Sequence, residues 1–194
     1  MRSTLLALAL SAAGLATMPA ISHAADGDNG GWFVNGNIGR SDLSKGAYSD
    51  NDTGYGLNLG YRWALSPYAA VGIEGGYTDL GKFSAGSSYR GLGVNDAKVH
   101  GWTAGVNGHF NLTPEWYVSA RGGYFRGDVK GSYLVNDTPF YVNDTSDKYY
   151  AGVGFGYDFS TNASIGLNYD YYKTNTQGLN LDPYLVSVSA EYRF

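Results

Sequence analysis

An all-β fold, eight antiparallel strands closed into a transmembrane β-barrel, is predicted by three features of this 194-residue chain. Eight segments alternate apolar and polar residues with a period of two, which gives a strand one greasy and one polar face. The connections between them are alternately short and long. Aromatic residues sort to the two ends of the apolar face, with Val, Leu, Ile and Ala between them.

Residues 1–24 are expected to be a secretory signal peptide. Met1-Arg2 is followed by an apolar run over 5–16, and Ser22-His23-Ala24 places small residues where a signal peptidase cuts. That run is well short of the roughly 20 residues a spanning helix needs. The mature domain is then 25–194. Without Arg2 it carries 12 basic and 17 acidic residues, so the formal charge moves from −4 to −5. That mild acidity argues against a nucleic-acid partner, which needs a basic face. Charged residues are 15% of the chain, against about 25% in soluble domains. With 29 glycines and 18 tyrosines, this composition points to many half-buried strands. The absence of cysteine excludes a disulfide framework and thiol chemistry.

In the first segment Trp32, Val34, Gly36 and Ile38 share the apolar face. Tyr55, Leu57, Leu59, Tyr61 and Trp63 do so in the second, and Ala69, Val71, Ile73 and Tyr77 in the third. The fourth carries Trp102, Ala104, Val106 and Phe110, and the fifth Trp116, Val118, Ala120 and Tyr124. Segments 149–159 and 165–172 follow, and 184–194 alternates without a fault to its last residue. Each is near the roughly 9–11 residues of a tilted membrane strand. Short connections at 64–67, 111–115 and 160–163 face long polar ones at about 41–52, 81–97, 127–147 and 173–182. Short turns at one end and long loops at the other are the pattern of bacterial outer-membrane barrels.

Periodicity alone leaves open a soluble barrel with its apolar face turned inward. The aromatics argue against it. Trp32, Trp63, Tyr68, Phe110, Trp116, Phe159, Tyr192 and Phe194 lie near the short turns; Tyr55, Tyr77, Trp102, Tyr124, Tyr149, Tyr171 and Tyr184 lie near the long loops. Two such girdles match two membrane interfaces, whereas a soluble core has no reason to form them. The glycine-rich, sparsely charged polar face suits a narrow interior.

Several stretches resemble the transmembrane domain of the outer-membrane protein A family: Trp32-Phe33, the run LSPYAAVGIEGGYTDLGKF (65–83), SARGGYFRGDVK (119–130) and the ending VSAEYRF (188–194). The resemblance covers essentially the whole mature chain. It implies localisation in the outer membrane of a Gram-negative bacterium. It also implies that Tyr192 and Phe194 form the C-terminal signal read by the outer-membrane assembly machinery. The periplasmic peptidoglycan-binding domain of the full-length family member is expected to be lacking, and wall tethering with it.

The inward face carries Arg62, Glu74, His109, Arg121, Asp158, Asp170, Glu191 and Arg193, which burial requires to be paired or hydrated. The resemblance implies a lumenal Glu74–Arg121 pair that has been discussed as a gate. The family's second lumenal pair is replaced here by residues near Asn107 and Gly156. Asp170, at a similar height, could compete for Arg121. Packing of a narrow interior is the alternative to a gate.

An enzyme reading finds only His100 and His109 in the mature chain, with Ser87 and Ser88 as distant loop partners, so no catalytic residues are assigned. No cofactor or metal is implied. Asp50, Asp52, Asp96, Asp137, Asp144 and Asp147, with Lys82, Arg90, Lys130 and Lys148, lie in the predicted loops. They are available to lipopolysaccharide, divalent cations, and host or phage ligands, or simply to solvent. Asn-x-Ser/Thr triplets at Asn51, Asn111, Asn136, Asn143 and Asn162 are read as chance in a bacterial envelope. The expectation is a monomeric structural barrel that displays four extracellular loops for envelope integrity and surface interactions; the alternative is a narrow channel or small porin.

Overall fold

The computed structural model describes residues 30–45, 48–83, 94–135, 138–176 and 179–194. The expected signal peptide lies outside these residues, as do Ser87, Ser88, Arg90, Asn136 and Asp137. Ten strands form: β1 (Gly31–Lys45), β2 (Tyr48–Ser66), β3 (Ala69–Phe83), β4 (Val94–Asn111), β5 (Trp116–Val135), β6 (Thr138–Asp158), β7 (Ala163–Tyr172), β8 (Thr174–Thr176), β9 (Leu179–Leu181) and β10 (Tyr184–Arg193). Eight of them close into an antiparallel barrel in the order β1-β10-β7-β6-β5-β4-β3-β2, and β8 pairs with β9 in a small hairpin of its own. The final strand completes the wall against the first, with Val34 opposite Tyr192 and Ile38 opposite Val188.

Closure leaves no free edge in the wall, so every strand can satisfy its backbone across lipid. The alternation then sorts side chains. Leu57, Leu59, Ile73, Val106, Val153 and Leu167 are exposed on the outside, while Asn58, Glu74, Asn107 and Asp170 are buried inside. Both predicted girdles stand on the outer face, with Trp32, Trp63 and Trp116 below and Tyr55, Trp102 and Tyr149 above.

The upper connections differ from their prediction. Stretches 41–52 and 127–147, read as loops, are largely paired strand: β1 and β2 stay in register to Lys45–Tyr48, and β5 and β6 to Val135–Thr138. Polar sequence concealed them, because above the membrane neither face of a hairpin has lipid to meet. A second departure lies in β3. Its register to β4 shifts between Asp79 and Lys82, where Gly81 takes φ 86°. This bulge inserts one extra residue in a left-handed conformation that glycine supplies at low cost. It exchanges the inward parity, so Leu80 and Phe83 both enter the barrel.

Candidate functional site

The lumen is built in three layers, and register decides who meets whom. At the short-turn end Arg62 donates from Nη1 and Nη2 to the Glu191 carboxylate at 2.5 and 3.0 Å, and from Nε to Asn107 Oδ1 at 2.6 Å. Its guanidinium lies 4.0 Å from the centroid of Phe33. Arg193 pairs with Asp158, whose other oxygen contacts His109 Nε2 at 3.2 Å and accepts from Asn111 Nδ2 at 2.8 Å. Tyr117 stacks on His109 with centroids 4.1 Å apart. These groups form a floor.

In the middle layer Arg121 donates from Nε and Nη2 to Asp170 at 2.7 and 2.5 Å. The Glu74–Arg121 pair implied by the resemblance is therefore not what forms. Glu74 has no salt bridge among the described residues and accepts the Tyr150 hydroxyl at 2.8 Å. The cause is glycine in the rows across the strands. Arg121 faces Gly152, which faces Asp170, so the guanidinium crosses one empty position to its acid. Glu74 faces Gly105, then Gly123, then Tyr150, so its carboxylate reaches over two. Buried amide atoms of Asn35, Asn37, Asn58 and Asn107 have no protein partner in this layer.

The upper layer is apolar. Leu43, Leu80, Phe83, Val99, Phe125, Tyr150, Tyr172 and Leu185 pack as one cluster, each no more than 2% exposed. Phe125 meets Tyr172 edge-on at 5.0 Å, and Tyr150 stacks on Tyr172 at 6.0 Å. Sequence reasoning missed this plug. Phe125, Tyr150, Tyr172 and Leu185 did carry a signal, since each is a large apolar residue with inward parity. Leu43 and Phe83 lay in predicted loops, and only the long hairpins and the Gly81 bulge bring them in.

Between floor and plug remains a cavity of about 30 Å³, bordered by Asn35, Glu74, Asn107, Arg121 and Asn168. That space suits a water or two rather than a solute. Among the described residues no group of His, Cys, Asp or Glu is arranged to hold a metal. At the C-terminus, Tyr192 and Phe194 meet edge-on at 5.1 Å, and the Phe194 N–H donates to the Trp32 carbonyl at 2.9 Å. These aromatics thus end the seam between last and first strands.

The family model for the outer membrane protein beta-barrel domain matches residues 5–194. The chain belongs to this family. As an outer membrane protein beta-barrel domain it is an integral part of the outer membrane, crossing it with strands. No curated protein sequence matches it. The fold is shared with solved barrels of low identity. Ail, the attachment invasion locus protein of Yersinia pestis, superposes with a TM-score of 0.58 at 19% identity, over 85% of this chain and 99% of that one. Neisserial surface protein A gives 0.57 at 16%, over 84% and 97%. OprG of Pseudomonas aeruginosa gives 0.53 at 12%, over 86% and 98%.

Proposed function

We propose that this barrel is a structural, non-conducting scaffold. It supports the envelope and holds its upper connections, above all the β1–β2 and β5–β6 hairpins, outside the membrane for contact with lipopolysaccharide and with host or phage surfaces. One observation carries the reading: the apolar plug and the ion-paired floor fill the two ends of the described lumen, with a small polar cavity between them. Two filled ends in series support an anchor more than a pore. The reading assigns no catalytic step; His109 is 1% exposed beneath Tyr117, away from any substrate. In this proposal residues 1–24 are removed on export, the assembly machinery engages Tyr192 and Phe194, and the barrel works as a monomer.

A narrow channel is the second reading, favoured by the amide atoms of the middle layer that lack a protein partner, a lining that water would wet. Planar-bilayer recording of the refolded barrel separates the two. The scaffold predicts a silent membrane; steady, solute-permeable openings would refute it.

A further inference from the structure

The basic side chains of the barrel divide into two sets. Arg62, Arg121 and Arg193 are inside. Among the described residues every other Lys and Arg stands at or above the upper aromatic girdle in strand register, and the lower turns at 64–68, 111–115 and 159–163 contain none. The hydrocarbon band can be placed between the girdles. On β2 Tyr55 and Trp63 are eight positions apart, which at about 3.3 Å per residue and a tilt of about 40° is roughly 20 Å along the membrane normal. The next outward position above the girdle then lies about 5 Å higher, where headgroups begin.

That position holds Arg40 on β1 and Arg126 on β5, on opposite walls of the eight-stranded ring. Arg40 is level with Thr53, two residues above Tyr55, and Arg126 is two residues above Tyr124. Both side chains face outward and are exposed. Two of the lysines near this level are already engaged: Lys98 bonds Asp79 and Lys173 bonds Asp182, each at 2.9 Å. Arg126 differs. It is 63% exposed, its closest acid is Asp147 at 3.9 Å from Nε, and that carboxylate is also hydrogen-bonded by Tyr124. Beside it in register is Trp102, itself exposed and outward.

An exposed guanidinium at headgroup depth, only loosely paired at 3.9 Å, between an interfacial Trp and Tyr, matches a phosphate on a lipid whose chains lie along the wall. We propose that Arg126, with Arg40 on the opposite wall, binds the phosphate groups of the outer-leaflet glycolipid. This rests on the reading that the barrel spans the outer membrane with its hairpins outward. It names a lipid contact that fixes the height of the scaffold, separate from any ligand at the hairpin tips.

The test refolds the whole barrel, as wild type, R126Q, R40Q and the double variant, into three vesicles: phosphatidylcholine alone, with phosphorylated lipid A, and with lipid A stripped of its phosphates. Chelator removes bridging divalent cations. The readout is the temperature at which heat-modifiable gel migration is lost. Phosphorylated lipid A should raise the wild-type midpoint clearly above that in phosphatidylcholine, and stripped lipid A should lose most of the rise. The double variant should keep its phosphatidylcholine midpoint and lose the rise, with R126Q the larger part. Equal rises in wild type and double variant, or equal rises with and without lipid phosphates, overturn the inference. So does a rise produced by inorganic phosphate alone, which would make the ligand a soluble anion. A barrel that fails here but stays silent in planar bilayers keeps the scaffold reading, and a conducting barrel with an intact lipid response removes only that reading.

Discussion

Arg121 closes on Asp170 through two hydrogen bonds of 2.7 and 2.5 Å, spanning the single glycine, Gly152, that separates their strands in register. Asp170 is fully buried, and the Arg121 side chain is 14% exposed. Removing either partner leaves an uncompensated charge, at about 3–5 kcal/mol. Arg121→Ala and Asp170→Ala should each destabilise the barrel by that order in urea unfolding, without opening a conductance. Glu74→Gln, which keeps an acceptor for Tyr150, should cost less. Glu74→Ala should fall between. Unchanged unfolding alongside raised conductance would favour a gate over packing.

The same row predicts an asymmetry among glycines. A side chain at Gly152 would collide with the Asp170 carboxylate, whereas Gly36 has open space where its Cβ would be. Gly152→Ala should therefore cost about 1–3 kcal/mol by overpacking. Gly36→Ala should stay within about 0.5 kcal/mol. Parallel denaturant titrations of the two variants check the contrast.

Truncating the plug should leave a void that its neighbours only partly fill. Phe125→Ala should cost about 3–5 kcal/mol. Because the Arg62–Glu191 floor is untouched, the variant should remain silent in planar bilayers. Conductance from this single change would show that the plug alone holds the lumen closed.

Just above the upper girdle, two residues beyond Tyr77, Asp79 accepts bonds from Lys98 Nζ at 2.9 Å, the Gly81 N–H at 2.9 Å and the Tyr55 hydroxyl at 3.2 Å. Burial pushes its carboxyl up, but the Lys98 and Gly81 hydrogen bonds and the Lys98 charge outweigh it and hold the carboxyl below its ordinary 3.8. A depressed folded value stabilises the folded state above the ordinary value. That contribution is lost as pH falls from about 3.8 through the depressed value. Lys98 is 40% exposed, so the effect should be no more than about 1 kcal/mol. Asp79→Asn should flatten the acid limb of stability against pH in that window.

Phe194→Ala is expected to lower the fraction of chains reaching the folded, heat-modifiable form in the outer membrane, while refolding into detergent in vitro proceeds. Equal assembly in cells would remove Phe194 from the assembly signal.

Much of the barrel was legible in particular residues. Tyr55 to Trp63 on β2 show period two and both girdles in one strand, and period two assigns each residue a face before any partner is known. The lumenal acids and arginines were legible for the same reason. Their partnerships were not. Arg121 and Asp170 are 49 positions apart and meet only through the register of three strands. Nor does alternation survive a bulge, so Phe83 could not be placed until Gly81 was seen at positive φ.

By itself, then, the sequence of this protein determines that strands close into a barrel with its apolar face toward lipid, because side-chain alternation and aromatic sorting are local properties of each strand. Which charges pair, which end of the lumen is greasy, and how far the hairpins stand above the membrane were decided only in the tertiary structure. The physical reason is stagger: closing the sheet slides each strand against the next. An interior neighbour is then set by the register of the whole ring rather than by any one segment.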